Sequence, residues 1–217
     1  MQQSFYEQGQ PRSSFVDHYW HMIDVKNGDY PLYMTVKWGF VFSKFGNTYR
    51  IQLVGPRTTP TTAHFRDGEY FWSIVMNADV NLTGYAKKDL LNKVIELKTT
   101  DGQSFVLADK TLQIPQYSEL DTFVERLIQE NILYITPIAA ASQRDQQRKA
   151  KRFTGLTPKQ IEQAARVERA IILMDGSYSL SWVATEAGFA DQAHMNRDFR
   201  RLVGYSPAEI RAMLDAL

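Results

Sequence analysis

The sequence predicts an α+β protein. Its N-terminal half reads as a small antiparallel β-barrel or sandwich, and its C-terminal third as an all-α domain of two helix-turn-helix units joined by a long helix. Three observations lead there. Short aromatic and β-branched runs separated by turn residues fill positions 15 to 115. A helical apolar period takes over after Pro115. The last third then repeats itself at an offset of 49 residues.

The expected strands are Tyr30–Trp38, Phe40–Phe42, Thr48–Val54, Tyr70–Met76 and Phe105–Leu107. Asn27-Gly28-Asp29, Phe45-Gly46-Asn47, Asp67-Gly68 and Asp101-Gly102 punctuate them as turns. Lys87–Lys93 (KKDLLNK) interrupts the β pattern as a short helix. In Ser118–Glu130, Leu120, Phe123, Val124, Leu127 and Ile128 form one helical stripe. The expected organisation is a flexible N-terminus over 1–14, a β-rich domain over 15–117, a connecting helix over 118–135 and a helical domain over 136–217.

Composition narrows the function. The chain has 217 residues, 44% apolar and 23% charged, with no cysteine, so disulfides and thiolate metal sites are excluded. Its apolar runs fall well short of the ~20 residues that span a bilayer. Its first 14 residues are polar and lack the pattern of a signal peptide. A cytoplasmic protein without membrane contact is expected. The net charge of +1 hides an asymmetry: residues 142–217 hold 12 Lys/Arg against 9 Asp/Glu, and residues 142–169 hold 8 against 3. Positive charge gathered in one segment fits a phosphate-backbone binder, and equally a solvated helix face.

The repeat favours the first. Arg148–Ile161 (RKAKRFTGLTPKQI) matches Arg197–Ile210 (RDFRRLVGYSPAEI), pairing Arg148 with Arg197, Lys151 with Arg200, Arg152 with Arg201, Gly155 with Gly204, Pro158 with Pro207 and Ile161 with Ile210. Each copy reads as helix, stop, new helix. Gly155 and Gly204 suit a left-handed helix end. Thr157-Pro158-x-Gln160 and Ser206-Pro207-x-Glu209 are capping boxes with proline at the first helical position. Pro158–Met174 between the units is an amphipathic helix ~25 Å long, a spacer able to set two helices in successive major grooves.

In the second copy, Ser179 caps a helix that buries Leu180, Val183, Ala184 and Ala187. Gly188 ends it, and Asp191 caps the next helix, Gln192–Val203. At ~100° per residue, Met195, Phe199 and Leu202 face inward. Ala193, Arg197, Arg200 and Arg201 face outward, flanked by His194 and Asn196. Arginine can bridge guanine O6 and N7, and asparagine adenine N6 and N7.

The same offset places Ser142 as the cap of the first unit's helix, whose outward face is Arg144, Gln147, Arg148, Lys151 and Arg152. Its inward face is eroded, with Gln146 in place of Met195 and Ala150 in place of Phe199, while Phe153 stands for Leu202. A core amide without a partner costs ~1–3 kcal/mol. Residues 132–141 (ILYITPIAAA) match the second unit's first helix only as a stub. The first unit is expected to be the looser reader.

Gly155-Leu156-Thr157-Pro158, the run EAGFADQAHMNRDFRR (Glu186–Arg201) and Gly204-Tyr205-Ser206-Pro207 resemble the AraC/XylS-type transcriptional regulators over about residues 142–210. The resemblance implies a regulator that binds double-stranded DNA through two helix-turn-helix units. It places base contacts at Gln192, Ala193, Asn196 and Arg197 in the second unit, and at Arg144, Gln147 and Arg148 in the first. Lys151, Arg152, Arg200 and Arg201 are the expected phosphate contacts. For the N-terminal domain, where Val54–Pro60 (VGPRTTP) is reminiscent of some members, it implies a cupin-like sensing domain that binds a small effector, forms a homodimer, or both.

The N-terminal half offers little enzymatic chemistry. It has no phosphate-binding glycine loop, no cysteine nucleophile and no GxSxG. His18 and His21 would point to opposite faces of a strand, so with His64 and His194 they do not suggest a metal centre. No metal or cofactor and no enzyme activity is expected. Tyr19, Trp20, Tyr30, Tyr33, Trp38, Phe40, Phe42, Phe71 and Trp72 could line an apolar ligand pocket or simply fill a barrel core. Arg57 and Arg66 are either effector anchors or surface arginines. The alternative reading is a small-molecule-binding or enzymatic β-domain with the helical part as an interaction module.

Overall fold

A computed structural model describes residues 5–23, 27–135, 151, 156–174 and 177–215. The N-terminal part is β-rich. Its strands are β1 (Phe5–Gly9), β2 (Val16–Ile23), β3 (Gly28–Leu32), β4 (Trp38–Phe45), β5 (Thr48–Val54), β6 (Thr61–Phe65), β7 (Tyr70–Met76), β8 (Val80–Leu82), β9 (Val94–Glu96), β10 (Ser104–Leu107), β11 (Lys110–Gln113) and β12 (Leu133–Ile135). Two helices accompany them, α1 (Lys87–Leu90) and α2 (Leu120–Gln129). The helical part contains α3 (Pro158–Met174), α4 (Leu180–Ala187), α5 (Gln192–Leu202) and α6 (Pro207–Leu214).

Six strands form one antiparallel sheet in the order β1-β2-β7-β4-β5-β9, and β3–β6, β8–β12 and β10–β11 pair as two-stranded ribbons. Alternation puts Trp38, Phe40 and Phe42 of β4 on one face with Ile51, Leu53, Trp72, Ile74 and Met76, all at most 2% exposed. Phe42 stacks on Trp72, its partner across the β4–β7 ladder, at 5.7 Å between ring centres. The indole N–H groups of Trp38 and Trp72 each donate to a carbonyl, Val80 and Pro115 respectively, at 2.9 Å. The opposite face is covered locally by a second cluster of Met22, Phe65 and Phe71.

Several expectations change. The segment read as one strand over Tyr30–Trp38 belongs to two, because the chain leaves the β3–β6 ribbon after Leu32 and enters the six-stranded sheet only at Trp38. The stretch expected to be a flexible N-terminus includes β1, which pairs with β2 from Phe5↔Ile23 to Gly9↔Tyr19. The expected barrel is not closed among the described residues: β1 and β9 end the sheet unpaired with each other. The reason is local. β9 has only three residues, its Val94 and Glu96 point to solvent, and the open side of the core is filled by α2. Leu120, Phe123, Val124 and Leu127 of α2 pack among the sheet's aromatics, so the helix read as a connector is built into the β-part.

The two parts touch through the segment between β3 and β4. Met34 is 1% exposed and lies in the core of the helical part. Lys37 sits between Asp17 of β2, at 2.8 Å, and Glu168 of α3. A hydrogen bond with the His18 ring at 2.6 Å and the Lys37 ammonium hold the Asp17 carboxyl down at about 2, against the upward pull of burial. Burial draws Lys37 down, but the carboxylates of Asp17 and Glu168 outweigh it and raise its pKa. A carboxylate with a depressed pKa stabilises the fold above its unfolded value of about 4, and loses that contribution as pH falls. The stability difference between wild type and Asp17→Asn should therefore shrink as pH drops from about 4 toward 2. Urea unfolding at stepped pH measures it, and a constant difference would contradict the assignment.

Candidate nucleic-acid interface

The helix-turn-helix predicted in the second copy is present in detail. Ser179 accepts the Trp182 N–H at 3.2 Å and starts α4. Gly188 ends it at φ 90°, a left-handed conformation in which a Cβ is strained. The Phe189 N–H then reaches back to the Ala184 carbonyl at 2.9 Å, a C-terminal cap that turns the chain sharply. Asp191 accepts the His194 N–H at 2.6 Å and starts α5. Asp191→Ala should cost ~1 kcal/mol, with most of it recovered in Asp191→Asn. Chemical unfolding of the full chain measures this; an equal loss in both variants would deny the capping role.

The two helices share one core. Val183, Ala184 and Ala187 of α4 and Met195 and Phe199 of α5 are fully buried, with Leu202 at 2%. Ala184 is small enough to let α4 and α5 cross closely. Phe189 in the turn meets Phe199 at 6.4 Å, and the Arg166 guanidinium of α3 lies over its ring. α3 contributes Ala164, Val167, Ala170 and Met174 to the same core. Ile161, Ile171 and Leu173 of the same helix are half-buried and Ala165 is exposed.

This packing fixes which face of α5 is free. Ala193, Arg197, Arg200 and Arg201 are exposed, as the face division predicts; Gln192 and Asn196 are exposed too, and His194 is half-buried. Among the described residues Arg197 makes no ion pair. The two arginines after it do: Arg200 meets Glu209 of α6 at 3.0 Å and Arg201 meets Asp198 at 2.7 Å. Arg200 and Glu209 are both half-exposed, and such a pair is worth ~0–1 kcal/mol, so a phosphate can compete for Arg200, whereas the Arg201 guanidinium is half-exposed over a buried carboxylate.

Asp198 is the residue that the sequence reading missed. It is 7% exposed on the inward flank of α5, holding Arg201 through one oxygen, with His194 Nε2 3.5 Å from the other. His194 Nδ1 accepts the Ala190 N–H at 3.3 Å. The i,i+3 and i,i+4 spacing of Arg201 and His194 about Asp198 was the available signal.

Both capping boxes form. Thr157 and Gln160 exchange backbone and side-chain hydrogen bonds at 2.8 and 3.3 Å, and Ser206 and Glu209 do the same at 2.7 and 3.3 Å. Glu209 thereby has its pKa lowered, by the Ser206 hydroxyl, then the Ser206 N–H and, more weakly, Arg200. Gly204 adopts φ 87°, as expected for a helix end. Most of the first unit lies outside the described residues: Arg144, Gln147, Arg148 and Arg152, the proposed cap Ser142, the inward positions Gln146, Ala150 and Phe153, and Gly155. Lys151 is described, helical and exposed.

Nothing comparable marks the β-part. Among the described residues no group of three or more His, Cys, Asp or Glu could hold a metal ion. Trp38, Phe40, Phe42 and Trp72 are buried together in one hydrophobic core. Tyr19 belongs to that core, Phe71 to the cluster with Met22 and Phe65, against which Trp20 packs, and Tyr33 packs on the helical part; the Tyr30 side chain lies outside the description. Arg57 is half-buried, with its Nε donating to the Tyr33 carbonyl at 3.3 Å, and burial lowers its pKa. No helix among the described residues is long and apolar enough to cross a membrane.

Known proteins share sequence with the helical part. Residues 136–213 match a family model described as a helix-turn-helix domain. Over 78 residues the chain is 40% identical to the HTH-type transcriptional activator RhaS of Escherichia fergusonii, a match covering 36% of this chain and 28% of that relative's length. Among solved structures, ToxT from Vibrio cholerae O395 bound to (E)-4-(8-methylnaphthalen-1-yl)but-3-enoic acid aligns at 12% identity with a TM-score of 0.47, over 96% of this chain and 99% of that one. ToxT of strain SCE256 bound to unsaturated fatty acid aligns at 12% identity and a TM-score of 0.44, over 94% and 99%. The C-terminal region is thus a helix-turn-helix domain in both geometry and sequence.

Proposed function

We propose that this chain is a sequence-specific transcriptional regulator that binds double-stranded DNA, with α5 as the recognition helix of its second unit. One observation carries the reading. A capped helix-turn-helix buries Met195, Phe199 and Leu202 and leaves Gln192, Ala193, Asn196 and Arg197 together on a free face. These four are assigned to base edges, with Ala193 limited to a methyl contact. Arg144, Gln147 and Arg148 take the same role in the first unit. Lys151, Arg152, Arg200 and Arg201 are assigned to phosphates, where they set register and affinity.

The chain divides near residue 135 into a β-part and the DNA-binding part. We read the β-part as a cupin-like control module that senses a small effector, self-associates, or both.

Duplex binding by the full chain across a salt series tests the reading. Affinity should fall steeply with salt, because condensed counterions are released. Lys151→Ala should weaken all sequences alike and make the log–log slope shallower by about one. An unchanged slope would remove Lys151 from the phosphate set, and salt-insensitive or absent binding would refute the function. Absent binding would favour a β-domain with an attached interaction module.

A further inference from the structure

The segment Tyr33–Lys37 belongs by sequence to the β-part, yet it completes the core of the helical part. Met34 is 1% exposed among residues that include Phe199, Leu202 and Val203, with Tyr33 and Val36 packed around the same cluster. The Met34 N–H donates to the carbonyl of Leu202, the last residue of α5, at 3.0 Å. The last carbonyls of a helix have no partner within it. Here one of them is satisfied from 168 positions away in the sequence.

The segment is also tied back to the β-part. Thr35 and Arg57 exchange backbone hydrogen bonds at 3.1 and 2.9 Å, and Lys37 meets Asp17 of β2 while reaching Glu168 of α3. Near the end of α5, a Cβ at Gly204 would lie 3.6 Å from the Pro60 ring. The contact therefore grips the C-terminal end and inner side of α5, while Gln192, Ala193, Asn196 and Arg197 stay exposed.

From this arrangement we propose that Met34 and Lys37 are positioning residues for DNA reading. Met34 fixes the C-terminal end of the recognition helix, and Lys37 fastens the segment that carries Met34 to both parts. The β-part thereby holds the C-terminal end of α5 in place while its DNA-facing side chains stay free. The inference rests on the reading of α5 as the recognition helix.

The test uses the full chain with Met34→Ala, Met34→Leu, Lys37→Gln and, as a control, Met22→Ala in the separate β-part cluster. Amide hydrogen exchange at residues 199–204 and affinity for a selected duplex are read together. Met34→Ala and Lys37→Gln should both speed exchange there and weaken duplex binding by about fivefold or more. The salt slope should be unchanged, since no phosphate contact is lost. Met34→Leu should stay near wild type, and Met22→Ala should leave residues 199–204 protected. Should Met34→Ala fail to fold, Lys37→Gln decides. Unaltered exchange and affinity would overturn the proposal, as would tighter binding, which would make the contact a brake. Wild-type binding with unaffected variants overturns this role alone, whereas a wild-type chain that binds no duplex overturns the proposed function and this role with it.

Discussion

Phe199→Ala should destabilise the helical part by ~3–5 kcal/mol, the usual cost of emptying a buried aromatic site. The magnitude follows from what Phe199 does. It has no exposed surface, it meets the Phe189 ring of the turn, and it shares a core with Met195, Leu202 and Met34. These neighbours are held by two capped helices and by a segment anchored in the β-part, so the site cannot collapse to fill the void. A cavity that cannot relax falls at the costly end of the range. The aromatic core around Phe42 and Trp72 is a separate cluster and should keep its protection. Hydrogen exchange would show loss of protection confined at first to α4 and α5. Denaturant unfolding would give the magnitude, and a loss under ~1 kcal/mol would mean that Phe199 is not the centre of this core.

Arg197→Ala should relax preference at a single base pair, by ~1–3 kcal/mol or roughly 5- to 150-fold in relative affinity. The prediction singles out Arg197 because its neighbours in sequence are differently placed. Arg200 is drawn to Glu209 and Arg201 to Asp198 toward the C-terminal end of α5, whereas Arg197 projects from its exposed middle. A free guanidinium can adopt the bidentate geometry that guanine requires. Loss of either Arg200 or Arg201 should instead weaken all sequences alike. Competition binding over duplexes with each base pair altered in turn separates the two behaviours. Uniform loss in Arg197→Ala would move it into the phosphate set.

The helical part was the legible part of this sequence, because its signals are local. Ser179, Gly188, Asp191 and the pair Ser206 and Glu209 each act within four residues of their own position, and each forms the bond its type and spacing imply. The β-part was less so. β6, β8, β9 and β11 are three to five residues long, and what makes them strands is a partner elsewhere in the chain. β1 lies in a stretch whose residues are mostly polar, and it exists by pairing with β2. The run from Tyr30 to Trp38 has the composition of one strand, but Met34 is committed to another core. Lys37 and Glu168 stand 131 positions apart, and nothing in a single sequence pairs them. Asp198 was hidden differently, as a carboxylate on the inward flank of a helix whose outward arginines drew the attention.

Selection from a random duplex pool by the full chain, at about 150 mM salt, tests the central claim most directly. The account predicts enrichment of a defined motif, bound at least ~10³-fold more tightly than unrelated duplex. Part of that motif should lose its information when Asn196 and Arg197 are replaced by alanine. A pool that emerges without a motif, or a motif indifferent to both substitutions, would contradict α5 as the reader.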